Sequence, residues 1–436
     1  MSDFDVVVVG AGYGGMGAAA LLAESGLRVL VLEQSESVGG RAWSFTDDEG
    51  FTWEYGAHSM RLAEKGIAAE LFRRLGDEIV FVPHAKDAGL IYRDRLWDRP
   101  EGVIGYLFTP MLPLRSRLAL LVLLARIKRT RPEDWYDRTL SDFSRSTGLH
   151  SLVEEVLPLL GMAVMCPDPA KVSAGEVIAF VRRMLLAGVS VGEPVGGTAQ
   201  VFRKLSRHVE SSGRIHTGER ATELMVDNGR VAGVRTTRDT YRADTVIFAA
   251  RLPLLFEIAQ PSWFPPELVH YARSIEHSSS LVIDFVTDRP ICERKGGILG
   301  VDIPVWARFQ TNADPSFTPR GLHLSTWGIM LPFGFRGEPE AVDAAERRLR
   351  DLVGSLFPLV RDALTRERRL VVEVMNGTVL TPSSSLPHRP PVACPSPKGL
   401  YLAGDTVAGE GCSGDISFSS AMKACDAILE ERRRKT

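Results

Sequence analysis

Four consecutive valines, Val6 to Val9, follow Phe4 and Asp5 near the start of the chain. An unbroken β-branched run of that length predicts a strand buried on both faces, as in a parallel sheet. Glycines then fall at positions 10, 12, 14, 15 and 17, and residues 18–23 are small and helix-forming up to Gly26, a helix C-cap. Residues 28–33 form a second apolar run, so the opening segment spells a β-α-β unit. From 67 to 183 the pattern predicts mostly helix, broken at Pro110, Pro113, Pro132, Pro158, Pro167 and Pro169. Over 214–250 it shortens to strand periods. Asp227-Asn228-Gly229-Arg230 marks a hairpin turn there, and 245–250 is another buried run. Residues 281–286 and 322–327 predict strands of a second sheet, and 341–357 an amphipathic helix. A Pro/Ser-rich connector over 381–397, a short strand over 400–403 and a helix over 415–433 complete the pattern. No fixed-period repeat is present.

The chain has 436 residues, 44% hydrophobic and 24% charged, which predicts a globular protein of two or three domains, or one large two-domain enzyme, and excludes a disordered chain. Lys and Arg number 52 against 54 Asp and Glu, a formal charge of −2. No bulk basic excess exists to grip nucleic acid, and none is expected as a partner. The five cysteines, Cys166, Cys292, Cys394, Cys412 and Cys425, form no C-x-x-C pair, which argues against a disulfide framework or a zinc site. No metal is expected. Asp3 and Asp5 make an acidic start without the features of a signal peptide, and no apolar run reaches 18 residues. A cytoplasmic location is therefore expected.

Gly10-Ala11-Gly12-Tyr13-Gly14-Gly15 fits G-x-G-x-x-G, and Glu33 ends the next strand, 18 residues beyond Gly15. Gly10 permits the tight turn. Gly12 lets a pyrophosphate approach the helix N-terminus, Gly15 lets helix and strand pack closely, and Glu33 can accept from adenosine ribose hydroxyls. The position of the motif, between a buried strand and a small-residue helix, predicts dinucleotide binding.

Val38-Gly39-Gly40-Arg41 follows, then Gly50-Phe51 and Tyr55-Gly56-Ala57-His58. Here the sequence resembles the flavoprotein family of amine oxidases, phytoene desaturases and protoporphyrinogen oxidases. Gly196-Gly197-Thr198 with 215–234 resembles that family's second FAD segment, and 245–251 its strand returning to the FAD domain. Tyr401-Leu402-Ala403-Gly404-Asp405 and Gly411-Cys412-Ser413-Gly414-Asp415 resemble its closing FAD motif. The resemblance implies an α/β fold: a glutathione-reductase-type, Rossmann-like FAD-binding domain over 1–66, 196–255 and 395–436. An α+β substrate domain would use 67–195 and 256–394. FAD would be held by Gly10, Gly12, Tyr13, Gly14, Gly15, Glu33, Gln34, Gly40, Arg41, Gly56, Ala57, His58, Ala221, Gly404, Asp405, Ser413, Gly414 and Ile416. In this arrangement Arg41 would sit by the pyrophosphate, Ala221 would meet the adenine through its backbone, and Asp405 would bond the ribityl or pyrophosphate region. Ser413 and Gly414 would open a helix whose N-terminus faces the flavin O2 and N1.

Departures from the family pattern refine the reading. No S-G-G-C segment occurs, so FAD is expected to be non-covalent. Cys412 stands where amine oxidases carry a cage aromatic, which weakens amine oxidation; a buried thiol there reads as a small hydrophobe. His58 is the catalytic candidate, as general base or orienting group, against the reading of a hydrogen-bonded structural histidine. Glu54 and Tyr55 are weaker candidates, Glu54 reading as a solvated or paired carboxylate. Residues 103–114 and 118–125 are apolar and flanked by Arg115, Arg117, Arg126, Lys128, Arg129 and Arg131. They are expected to cover an apolar cavity; the second reading is peripheral membrane contact through 103–131. The expected activity is FAD-dependent dehydrogenation of an apolar small molecule, by hydride transfer to flavin N5. Oxygen or a quinone would accept the electrons. The rivals are an amine or amino-acid oxidase, with Arg308 as a carboxylate clamp, a redox-neutral FAD-dependent isomerase, and a non-enzymatic flavin-binding protein.

Overall fold

The computed structural model describes residues 3–56, 59–83, 86–189 and 191–435. At its centre lies a five-stranded parallel sheet in the order Leu400–Leu402, Val246–Phe248, Val6–Val9, Val29–Leu32, Arg214–His216. The four valines occupy a central strand because both faces of this sheet are covered. Val6 and Val8 pack under the helices Tyr13–Glu24, Gly197–Glu210 and Gly414–Lys435. Val7 and Val9 face Leu224, Val231 and Val234 of a three-stranded antiparallel sheet, together with Leu255 and Leu268. Gly10 ends the first strand at φ +102, and a Cβ on Gly15 would lie 1.9 Å from the Gly10 carbonyl oxygen. The turn therefore requires glycine at both positions.

A seven-stranded mixed sheet forms the second layer system, in the order Leu364–Asn376, Ser278–Thr287, His323–Met330, Val305–Arg308, Ile298–Gly300, Gly89–Tyr92, Arg95–Asp98. Its period-2 alternation sorts side chains. Leu281, Ile283 and Phe285 pack beneath the helix Pro339–Leu356, while Ser280 and Val282 face a cavity. Helices between Gly102 and Ala187 close the far side of that cavity.

Two elements depart from the sequence reading. The hairpin Gly89–Tyr92/Arg95–Asp98 interrupts the segment expected to be mostly helical. It docks in parallel on Ile298–Gly300, a pairing no local pattern announces. Leu364–Asn376 is the longest strand, yet it carries Arg366, Glu367, Arg368 and Arg369. As an edge strand it can hold charge: Arg368 Nε donates to Asp284 Oδ2 at 2.7 Å, and Arg350 pairs with Glu367 at 2.7 Å. Among the described residues no helix is long and apolar enough to cross a membrane.

Candidate active site

A cavity of about 570 Å³ runs from the glycine turn toward the mixed sheet. The strand Val6–Val9 delivers Gly10, Gly12, Tyr13 and Gly14 to its wall, and Val29–Leu32 delivers Glu33 and Gln34. Gly40, Arg41, Tyr55, Gly56, Gly404, Asp405, Ser413 and Gly414 complete that end. Gly15 and Ile416 are buried in packing and Ala221 opens the three-stranded sheet; all three lie off the wall. Ala57 and His58 lie outside the described residues.

Several observations fit a dinucleotide here. Helix Tyr13–Glu24 has Gly12 as N-cap, no side-chain cap and no acid in its first turn, so its leading amides have no side-chain acceptor. That is the state an incoming pyrophosphate completes. Space beyond the Gly12 Cα is open to 4 Å, whereas a Cβ on Gly14 would meet Gly404 N at 3.1 Å. The cradle is thus floored by backbone. Ala11 N–H donates to Glu33 Oε2 at 2.8 Å, and Ser35 N–H to Glu33 Oε1 at 2.9 Å. Glu33 thereby stiffens the turn it borders. Tyr13 stacks on Phe202 at 5.1 Å and against Phe418 at 4.6 Å, locking the start of its helix to two others.

Arg41 and Asp405, each assigned a separate cofactor contact from sequence, meet one another: both terminal guanidinium nitrogens donate to the carboxylate at 2.8 Å. Gly377 N–H donates to Asp405 Oδ2 at 2.7 Å. Burial alone would raise the Asp405 pKa; the Arg41 charge and these hydrogen bonds outweigh it and hold the carboxyl below its ordinary value. Ser413, at φ +55, donates Oγ–H to Asn376 Oδ1 at 2.5 Å and leads into the C-terminal helix.

Toward the mixed sheet the wall includes Leu160, Phe180, Met184, Leu299, Trp306 and Met375. Arg308 reaches this wall but is engaged, donating to Glu193 Oε1 at 2.7 Å and to Glu54 Oε2 at 3.3 Å. Glu54 Oε1 also accepts from Thr198 N–H at 3.0 Å, so this buried pair ties the second glycine segment to the mixed sheet. Burial would lower the Arg308 pKa; the two carboxylates raise it instead.

The sequence reading quoted Asp415 in a motif but gave it no role. It is buried on the wall at the start of the C-terminal helix, on the same wall as Arg61 and Cys412. Burial pushes its carboxyl up to about 7 against the pull of Arg61 and Arg183. The only advance signal was its place one residue after Ser413-Gly414. Burial likewise raises the Cys412 thiol to about 11, so it stays protonated near neutral pH, its Sγ 3.7 Å from Ala163 O.

The family model for flavin containing amine oxidoreductases matches residues 13–429. A zeta-carotene-forming phytoene desaturase from Myxococcus xanthus is 27% identical over 291 residues, 58% of this chain and 54% of the desaturase. The match thus spans about half the length of that relative. An L-amino-acid oxidase from Echis ocellatus is 26% identical over 356 residues, 76% of this chain and 67% of the oxidase. The solved structure of cyclohexylamine oxidase from Brevibacterium oxydans superposes with a TM-score of 0.69 at 19% identity, covering 99% of this chain and 100% of that one.

Proposed function

Since the chain belongs to the flavin containing amine oxidoreductase family, we propose that it is a FAD-dependent oxidoreductase that dehydrogenates an apolar small molecule. When bound, FAD would supply the redox chemistry, a hydride acceptor at N5, with oxygen or a quinone as the final electron acceptor. The chain's own residues supply the rest. The glycine turn and the uncapped helix start would hold the pyrophosphate, and Glu33 would border the ribose. Leu160, Phe180, Met184, Trp306 and Met375 form the apolar part of a wall that orients a ligand by fit.

The observation that carries the apolar reading is the engagement of Arg308. An amino-acid oxidase needs a cation free for the substrate carboxylate, and this guanidinium is already compensated by Glu54 and Glu193. One feature favours a second reading, oxidation of an amine. The Asp415 carboxyl is buried on the cavity wall, and a carboxylate there suits an ammonium.

The test is organic extraction of the FAD-loaded protein, mass spectrometry of any released compound, and its anaerobic return to the enzyme. Flavin bleaching with loss of two hydrogens from an uncharged compound supports dehydrogenation. Bleaching by simple amines, with peroxide on admitting oxygen, moves the assignment to the second reading. An isomeric product formed only with pre-reduced flavin overturns both.

A further inference from the structure

We propose that the outer face of the helices Gly102–Phe108 and Leu114–Arg129 docks on an anionic lipid surface, seating the cavity wall against the membrane. Six of the twelve strongly exposed large apolar side chains of the described residues fall between positions 103 and 122. Val103, Ile104 and Phe108 are 67%, 74% and 72% exposed, well beyond scattered surface hydrophobics. On the second helix Leu114, Leu118 and Val122 recur at every fourth position, opposite the buried Ala119, Leu123 and Ile127. By helical phase Arg129 lies on that outward stripe, and the exposed Arg115 and Arg126 flank it along one edge. One face thus presents apolar side chains followed by guanidinium groups, the composition of a helix lying in a membrane interface.

The patch is rigid. Arg117 donates to Leu112 O at 2.6 Å and to Leu107 O at 3.0 Å, bracing one helix against the other. It is also continuous with the site: Tyr106, on the first helix, lines the cavity. The inner side of this element therefore covers an apolar space while its outer side is bare.

Charge selects the occupant. Residues 101–131 contain six Lys and Arg and one acid, Glu101. Among the described residues, Arg131 is the one of these bases with a carboxylate within ion-pair distance, Glu133 at 3.8 Å. A second copy of the chain paired about a two-fold axis would set these cations against one another. Anionic headgroups complement them, each basic side chain adding to the attraction while the apolar stripe enters the acyl boundary.

The experiment is co-sedimentation of the FAD-loaded full chain with phosphatidylcholine vesicles, with and without phosphatidylglycerol, at low and high salt. Needing no substrate, it is independent of the assigned reaction. Binding is expected only with phosphatidylglycerol and should weaken as salt rises. The double variant I104D/F108D should lower the partition coefficient at least about tenfold, and R126E/R129E by about tenfold. Both variants should keep wild-type flavin content and melting temperature, because their side chains are exposed. No binding to phosphatidylglycerol vesicles at low salt overturns the proposal, as does binding that I104D/F108D leaves intact. A concentration-dependent dimer broken by I104D/F108D, without vesicle binding, assigns the face to a second copy instead.

Discussion

Arg41 donates two hydrogen bonds to Asp405, each 2.8 Å long, joining residues 364 positions apart in the sequence. The bidentate pair fixes the closing FAD motif against the segment that follows the second parallel strand. Both groups border the cavity, so the pair acts at once on stability and on the shape of the cofactor end.

The variant R41M should therefore lower stability by about 1–3 kcal/mol, less than a wholly buried pair because the Arg41 side chain is 33% exposed. Asp405 has its folded pKa depressed, so its contribution is present above the unfolded pKa and is lost as pH falls through the folded value. R41M should accordingly flatten the acid limb of the melting-temperature profile. A D405N/R41M cycle read by denaturant melts should show coupling above about 0.5 kcal/mol; strictly additive losses would mean the pair is energetically idle.

Two glycines three positions apart, Gly12 and Gly15, should behave oppositely. G15A drives a methyl into the Gly10 carbonyl, 1.9 Å from the ideal Cβ, and should yield insoluble protein or a sharply lowered melting temperature. G12A points into open space, so the apo protein should melt close to wild type while binding FAD more weakly. Apo melting curves alongside flavin titrations separate the two. A soluble, flavin-replete G15A would contradict the packing.

Replacing Glu33 by Ala removes the acceptor for Ala11 N–H and the carboxylate beside the ribose position. FAD affinity should fall on the order of tenfold to a hundredfold, the weight of a charge-assisted hydrogen bond. Fluorescence titration of apo protein checks this. The same preparations test non-covalent binding: acid or heat should release FAD into the supernatant.

Asp415 predicts a pH dependence of the opposite sign to Asp405. Its folded pKa of about 7 lies above the ordinary 3.8, so the folded state holds the extra proton between those values. Stability should then decline as pH rises from 4 toward 7, by on the order of a few kcal/mol, and level off above. D415N carries no ionisable group there and should gain stability relative to wild type at pH 8 but not at pH 4. Parallel declines in both proteins would remove Asp415 as the cause.

What the sequence determined by itself is whatever depends on neighbours along the chain. The valine run, the glycine spacing and Glu33 specify a β-α-β turn because a strand buried on both faces needs unbroken apolar residues and a tight turn needs glycine. The hairpin at Asp227–Arg230 and the terminal helix were legible for the same local reason. What only the tertiary structure decided is whatever depends on partners brought from afar. The strand Leu364–Asn376 hides its period behind charges whose partners, Asp284 and Glu346, lie on other elements. Arg308 read alone is a free clamp, but Glu54 and Glu193 close on it from two distant segments. Asp415 read alone is an ordinary helix-start acid; burial on the cavity wall changes its proton affinity. Local propensity is encoded within a few residues, whereas charge compensation and desolvation are set by whichever groups the folded chain places within a few ångströms.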